Sequence, residues 1–266
     1  MRFPSALSLV ALALIAGGCL HDGGTETVTV RETVTETGPT GTVPDEAPAI
    51  LSAFLLRDGK VAPVARSVVT GPEVGRVGIT ELLMGPTTEE GSMGFETAIP
   101  AGTELGGVSI KDGIADVELS RTLDDPAGQA QVVYTLTQFP TVERVRFLVE
   151  GEPQGTPRGR AAYEAQTPLI LVLSPLPGED VEPGFEVSGT ANTFEANFNY
   201  ELRNSTDKIL SMNFVTATSG SGTRGTFRFT VPYEVDSPQD GRLVVFESSA
   251  ADGSRINEVS TPLRLR

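Results

Sequence analysis

One cysteine, one histidine and no tryptophan occur among 266 residues. A single thiol cannot close an internal disulfide, and one imidazole without a second nitrogen or thiol ligand makes no metal site. His21 stands in a polar stretch, where a solvated side chain is ordinary. Positive charge is also scarce, with 20 Lys and Arg against 35 Asp and Glu and a net charge of −15. An acidic surface of that size is repelled by nucleic acid and by anionic lipid head groups, so neither is expected as a partner.

What is present begins with a leader. Arg2 is followed by the uncharged run Ala6–Ala16 and then Gly17-Gly18-Cys19. A basic start, a short apolar core and a small-residue end describe a secretory signal peptide, too short for a spanning helix. Ala16-Gly17-Gly18-Cys19 resembles the lipobox of bacterial lipoprotein precursors, although Leu is commoner at the place of Ala16. The resemblance implies cleavage of residues 1–18 and a diacylglyceryl thioether on Cys19, with acyl chains of the palmitate kind. It also implies an extracytoplasmic chain, anchored to the outer face of the cell membrane and touching the membrane only through its lipid. Two or three acyl chains hold far more firmly than a single myristoyl chain. The remaining 248 residues would carry no thiol and, with 19 basic and 35 acidic side chains, a charge of −16.

Residues 19–48 form the second segment. Eight Thr lie between Thr25 and Thr42, with no aromatic residue and little to bury. Such a segment cannot offset its ordering entropy and is expected to be a flexible tether.

A first folded unit is expected over residues 49–152. Ile50–Arg57 and Lys60–Ser67 read as strands around the Asp58-Gly59 turn. A helix runs from Pro72 to Met84 and stops at Gly85-Pro86. Gly106–Lys111 and Ile114–Ser120 alternate around Asp112-Gly113, a strong hairpin signal. A second helix begins at Pro126, capped by Asp124 or Asp125, and Pro140 ends it. The strand Val142–Val149 follows. The expected fold is α+β, in the order β-α-β-β-α-β, with helices on one face of a small sheet.

Residues 153–166 are rich in Pro, Gly, Arg and Gln and read as a linker. Residues 167–266 hold seven strand-like runs separated by turn residues, which suggests an all-β immunoglobulin-like sandwich. With no cysteine pair and no tryptophan to pin its core, Phe185, Phe194, Phe198, Phe214, Phe227, Phe229 and Phe246 are expected to fill it.

Four blocks of the first unit carry a family likeness: Leu82-Leu83-Met84-Gly85-Pro86-Thr87, Ile99–Leu105 around Gly102, Asp112–Ser120, and Thr135-Leu136-Thr137-Gln138-Phe139-Pro140. In this order they resemble the GerMN domain of the sporulation and spore germination family. In the second unit Ser174–Gly178, Val187–Ala191, Phe194-Glu195-Ala196 and Gly241–Ser248 resemble the immunoglobulin-like domain that accompanies it in bacterial spore germination proteins. GerMN domains are similar to ring-building modules that pack against other proteins, and the family has no established catalytic residues. The motif positions Gly85, Pro86, Gly102, Gln138, Phe139 and Pro140 are therefore expected to be structural, with the Gln138-Phe139-Pro140 corner open to a partner-facing role.

No catalytic set competes with that reading. Ser205-Thr206-Asp207-Lys208 matches the Ser-x-x-Lys pattern of penicillin-binding proteins, but it follows Asn204 in a turn between two expected strands. Asp116 and Glu118 share a strand face, expected to be solvated, and nothing places them across a cleft as glycoside hydrolysis requires. No cofactor motif or metal set is present. The leading expectation is a non-catalytic envelope lipoprotein that binds envelope proteins through sheet edges and the helix-bearing face, with oligomerisation open. A cell-wall glycan or peptide binding module is the second reading, and a wall-polymer hydrolase the third.

Overall fold

The computed structural model describes residues 48–69, 71 and 73–266. The leader, Cys19 and the Thr-rich segment lie outside the described residues. The described residues form one compact unit.

The first domain opens with a hairpin, β1 (Pro48–Arg57) and β2 (Lys60–Val69), turned at Asp58-Gly59. Helix α1 (Val74–Leu83) follows, then a short α2 (Thr88–Ser92) and the two-residue β3 (Phe95–Glu96). A second hairpin pairs β4 (Leu105–Lys111) with β5 (Ile114–Leu119) around Asp112-Gly113. Helix α3 (Pro126–Leu136), strand β6 (Arg144–Val149) and the short β7 (Glu152–Pro153) complete it. The strands make two sheets, β2-β1-β3 and β4-β5-β6-β7, with β5 and β6 parallel. One core, including Phe54, Ile79, Leu82, Val117, Val133 and Leu136, is shared by both sheets and by α1 and α3.

This architecture is richer than a single sheet with two helices. The extra helix α2 starts with a capping box: Glu90 N–H donates to Thr87 Oγ1 at 3.2 Å, and Thr87 N–H donates to Glu90 Oε2 at 2.8 Å. Helix α3 begins as expected, with the Asp125 carboxylate accepting from Ala127 N–H at 2.8 Å and Pro126 in the first turn. It ends at Leu136, so Gln138-Phe139-Pro140 forms the turn after the helix instead of its last turn.

The connecting residues 153–166 are built into the first domain. Arg158 bridges Val145, and Arg160–Gln166 winds as a short 3-10 helix with Tyr163 buried. The Arg160 guanidinium lies over the rings of Tyr134, at 4.7 Å, and Phe54, at 5.7 Å.

The second domain is a two-sheet sandwich. Strands β8 (Ile170–Ser174), β10 (Phe185–Ala191) and β13 (Gly225–Val231) make one sheet. The other contains β9 (Asp180–Val181), β11 (Asn197–Asn204), β12 (Ile209–Thr216), β14 (Gln239–Ser248) and β15 (Arg255–Leu265) in the order β12-β11-β14-β15-β9. All seven expected strands are present, joined by the two-residue β9. Between the sheets, Phe198 meets Phe227 edge-on at 4.8 Å and Tyr200 stacks on Phe229 at 4.7 Å. With no tryptophan or cysteine pair to do so, these rings help fill the space between the sheets. Three of the seven phenylalanines do not join them; Phe246 is buried on the other face of its sheet, under the Arg255 guanidinium at 4.1 Å. Phe194 is 66% exposed and Phe214 69% exposed, because the first sits in the turn before β11 and the second on the outer face of an edge strand.

Candidate interaction surfaces

Strand β1 has two hydrogen-bonding edges. One is taken by β2, and β3 covers only Leu56 and Arg57 on the other. The rest of that second edge is closed by side chains of α3 and its following turn. Ser52 N–H donates to Gln138 Oε1 at 3.0 Å, and Gln138 Nε2 donates to Ser52 O at 2.7 Å. Phe54 N–H donates to Thr135 Oγ1 at 3.0 Å, and Gln131 Nε2 donates to Phe54 O at 3.2 Å. Gln131 also accepts from Ala98 N–H at 2.8 Å. A primary amide side chain offers the same donor and acceptor as a peptide, so Gln131 and Gln138 stand in for a missing strand. Gln131 and Thr135 have no exposed surface.

The motif residues therefore divide. Gln138 works on the backbone of β1. Phe139 is half-buried against the core and lies beside Gly78 of α1, while Pro140 is exposed. Gly85 follows α1 with φ of +71°, a conformation glycine adopts without strain, and its carbonyl accepts from Arg66 Nη2 at 3.2 Å. Pro86 continues the chain away from the helix. Gly102 sits at φ +76° in the turn before β4. These residues do not converge on one point; they lie in three separate turns.

The carboxylates considered for chemistry are engaged. Asp116 is held by Arg146 through two bonds of 2.8 and 2.7 Å across the parallel β5–β6 pair, and Glu118 accepts from Gly151 N–H at 3.0 Å. They share a face but are half-buried and partnered, unlike the solvated face expected. Asn204 Oδ1 accepts from Thr206 N–H, Thr206 Oγ1 and Lys208 N–H, which makes Ser205–Lys208 a tight turn. Ser205 Oγ approaches Gln239 Oε1 at 3.5 Å. Among the described residues, no group of three or more His, Cys, Asp or Glu is placed to hold a metal ion.

Several engaged groups carried only faint sequence signals. Buried Glu90 is forked by Arg66, which also reaches Glu81. Burial raises its pKa, yet the bonds from Arg66 and Thr87 outweigh that and leave it below the ordinary value. Glu164, in the connecting 3-10 helix, binds Arg224 through both oxygens and accepts from Asn192 Nδ2 at 2.9 Å, with its pKa lowered chiefly by the Arg224 bonds. Buried Glu201 lies between Arg203 and Arg255, and their bonds overcome the cost of burial to lower its pKa. Thr87 and Glu90 have the spacing of a capping box, whereas Arg66–Glu90, Glu164–Arg224 and Glu201–Arg255 join distant positions.

Among the described residues, two features open to solvent bear on contact with other molecules. A cleft of about 610 Å³ lies between the first hairpin and the second domain, lined by Arg57, Lys60, Phe95, Leu171, Pro175 and Val259 among others. It is bridged by Arg57 Nη1 donating to Ser260 O at 2.8 Å and Lys60 Nζ donating to Ala165 O at 2.6 Å. The second is the edge strand β12, where Met212 (65% exposed) and Phe214 point away from the core.

Fold and surfaces together define the class: a small α+β domain joined to an immunoglobulin-like sandwich, with several buried and half-buried carboxylates paired to arginine. Residues 52–155 match the sporulation and spore germination domain family, and residues 169–254 match the immunoglobulin-like domain of bacterial spore germination. The chain thus matches both family models, in that order. Tandem GerMN domains of the sporulation protein GerM from Bacillus subtilis are 15% identical, aligning over 70% of this chain and 62% of that one with a TM-score of 0.36. A candidate lipoprotein from Clostridium perfringens is 18% identical over 47% of this chain and 98% of its own, with a TM-score of 0.31. CopC from Methylosinus trichosporium OB3b is 15% identical over 36% and 92%, with a TM-score of 0.23. Among curated protein sequences, none matches this chain. No helix among the described residues is long and apolar enough to cross a membrane.

Proposed function

We propose that the chain is a lipid-anchored envelope protein, held through Cys19 at the outer face of the cell membrane, whose two domains form a non-catalytic protein-interaction and scaffolding module of the sporulation and germination type. One contrast carries the reading. Glu90, Asp116, Glu164 and Glu201 are each tied to an arginine and buried Glu247 accepts from Phe194 N–H and Asn257 Nδ2, whereas large apolar side chains stand in solvent on an edge strand. Groups spent on ion pairs are unavailable for acid–base work, and an exposed apolar edge favours contact with protein. The lipobox-like Ala16-Gly17-Gly18-Cys19 supports the anchor, and the two spore germination families support the setting.

The test combines fractionation and crosslinking in cells. The natural chain is expected in the membrane fraction, and Cys19→Ala is expected to shift it out of that fraction. Mild crosslinking of membranes should give discrete protein adducts to the natural chain. Adduct-free crosslinking, together with cosedimentation of the chain with purified wall material, would overturn the reading in favour of wall binding.

A further inference from the structure

Edge strands of soluble proteins are normally protected by charge, proline, a bulge or brevity, because their unpaired N–H and C=O groups invite another strand. Several edges here are protected in these ways. Strand β2 carries Lys60, Pro63 and Arg66, β13 carries Arg228, and β9 has two residues. Strand β8 is uncharged but short and mostly buried; strand β12 is long, uncharged and exposed. Its eight residues, Ile209-Leu-Ser-Met-Asn-Phe-Val-Thr216, contain neither charge nor proline and pair on one side only, with β11. The single irregularity in that pairing lies at its start, opposite Leu202 and Arg203.

The hydrogen bonding shows which groups are free. Phe214 N–H donates to the side chain of its own neighbour, Asn213 Oδ1, at 2.9 Å, so it points away from β11. Alternate residues of an antiparallel strand face the same edge, which puts Met212 on the free edge with Phe214. Both side chains project from the outer face and are about two-thirds exposed.

We infer that β12 pairs antiparallel with β12 of a second copy of this chain, about a two-fold axis passing by Asn213. In that register Met212 of each copy lies opposite Phe214 of the other, so both hydrogen-bonded pairs are sulfur–aromatic contacts. The two exposed side chains are thus complementary to themselves, as an isologous interface requires. The strand itself adds no charge repulsion between copies. Two chains of net charge −15 repel each other, and the uncharged strand is where their surfaces approach at least electrostatic cost. Binding an acidic or basic segment of another protein would instead call for countercharges along β12, and it has none. The two Asn213 residues face each other in a non-hydrogen-bonded pair, with Cα atoms about 4.5 Å apart.

That spacing gives the test. In the full-length chain carrying Asn213→Cys, mild oxidation should link two copies into a species of twice the mass, which reduction reverses. Thr226→Cys, on the edge strand β13, should give at least tenfold less. Adding Phe214→Lys to Asn213→Cys should cut linkage at least tenfold while leaving the melting temperature within a few degrees, since the residue is exposed. Light scattering on the natural chain should show concentration-dependent doubling of mass that Phe214→Lys abolishes. A monomer at all concentrations, with Asn213→Cys staying reduced, would overturn the proposal; that result also covers the case in which another segment of the same chain occupies the edge. Because these readouts do not depend on the anchor, they stand apart from the outcome of the Cys19 experiment.

Discussion

Gln131 is a polar side chain with no exposed surface, and every atom that can bond does so. Removing it leaves the Phe54 carbonyl and the Ala98 N–H buried without partners and opens a cavity. Each stranded group costs about 1–3 kcal/mol, so Gln131→Ala is expected to lower stability by about 3–4 kcal/mol in urea unfolding. Phe139→Ala should cost less, about 2 kcal/mol, because the ring is only half-buried and a fully buried phenylalanine loses about 3–5. Equal losses for the two variants would mean that the α3 amides are not replacing a strand. The sequence showed Gln138 as part of a motif but could not show its purpose, since bonding to Ser52 spans 86 positions. Gln131 gave no signal at all: a glutamine in a helix ordinarily reads as a solvated residue. The misplacing of Phe194 and Phe214 has a similar origin. Alternation marks two strand faces but not which face is covered, and an edge strand leaves its outer aromatic in water.

At the level of elements, local signals were read well and long-range ones poorly. Asp58-Gly59 and Asp112-Gly113 each set a hairpin, Gly85 ends α1, and Asp125-Pro126 begins α3. Turn residues act within a few positions, so they can be read from the chain alone. The division of the first domain's strands into two sheets depends on which strands meet, and the chain does not state this locally. The connection 153–166 looks like a spacer by composition, yet Arg160 holds it to the first domain and Glu164 to the second. Arg160 donates to Thr137 Oγ1 at 2.7 Å as well as covering two rings, and burial pushes its pKa down. A desolvated cation over aromatic rings is worth about 2 kcal/mol. Arg160→Ala should accordingly lower the melting temperature and speed proteolytic cutting within residues 153–166, whereas Arg160→Lys should recover only part, since it keeps the charge but loses the planar fork. Unchanged cutting in the alanine variant would refute this role.

For the whole molecule, three buried or half-buried glutamates share one titration behaviour. Glu90, Glu164 and Glu201 all ionise below the ordinary value of 4.5 in the folded chain. A folded pKa below the unfolded one means the stabilisation is fully present above about pH 4.5 and is lost as pH falls through the lowered values. Melting temperature should be level from neutral pH down to about 4.5 and then drop. Glu90→Gln should melt lower at neutral pH and show a shallower acid drop. An identical slope in the variant would rule out Glu90 as a contributor.

The side-chain closure of β1 also separates two motions that a backbone ladder would merge. Amide protons of Ser52 and Phe54 are held by Gln138 and Thr135, while the alternate positions Ala53 and Leu55 turn toward β2. Exchange of the first pair with solvent therefore requires α3 to lift from the strand, and exchange of the second requires the hairpin itself to open. A single strand thus carries two independent clocks, one for the docking of a helix and one for the integrity of a sheet.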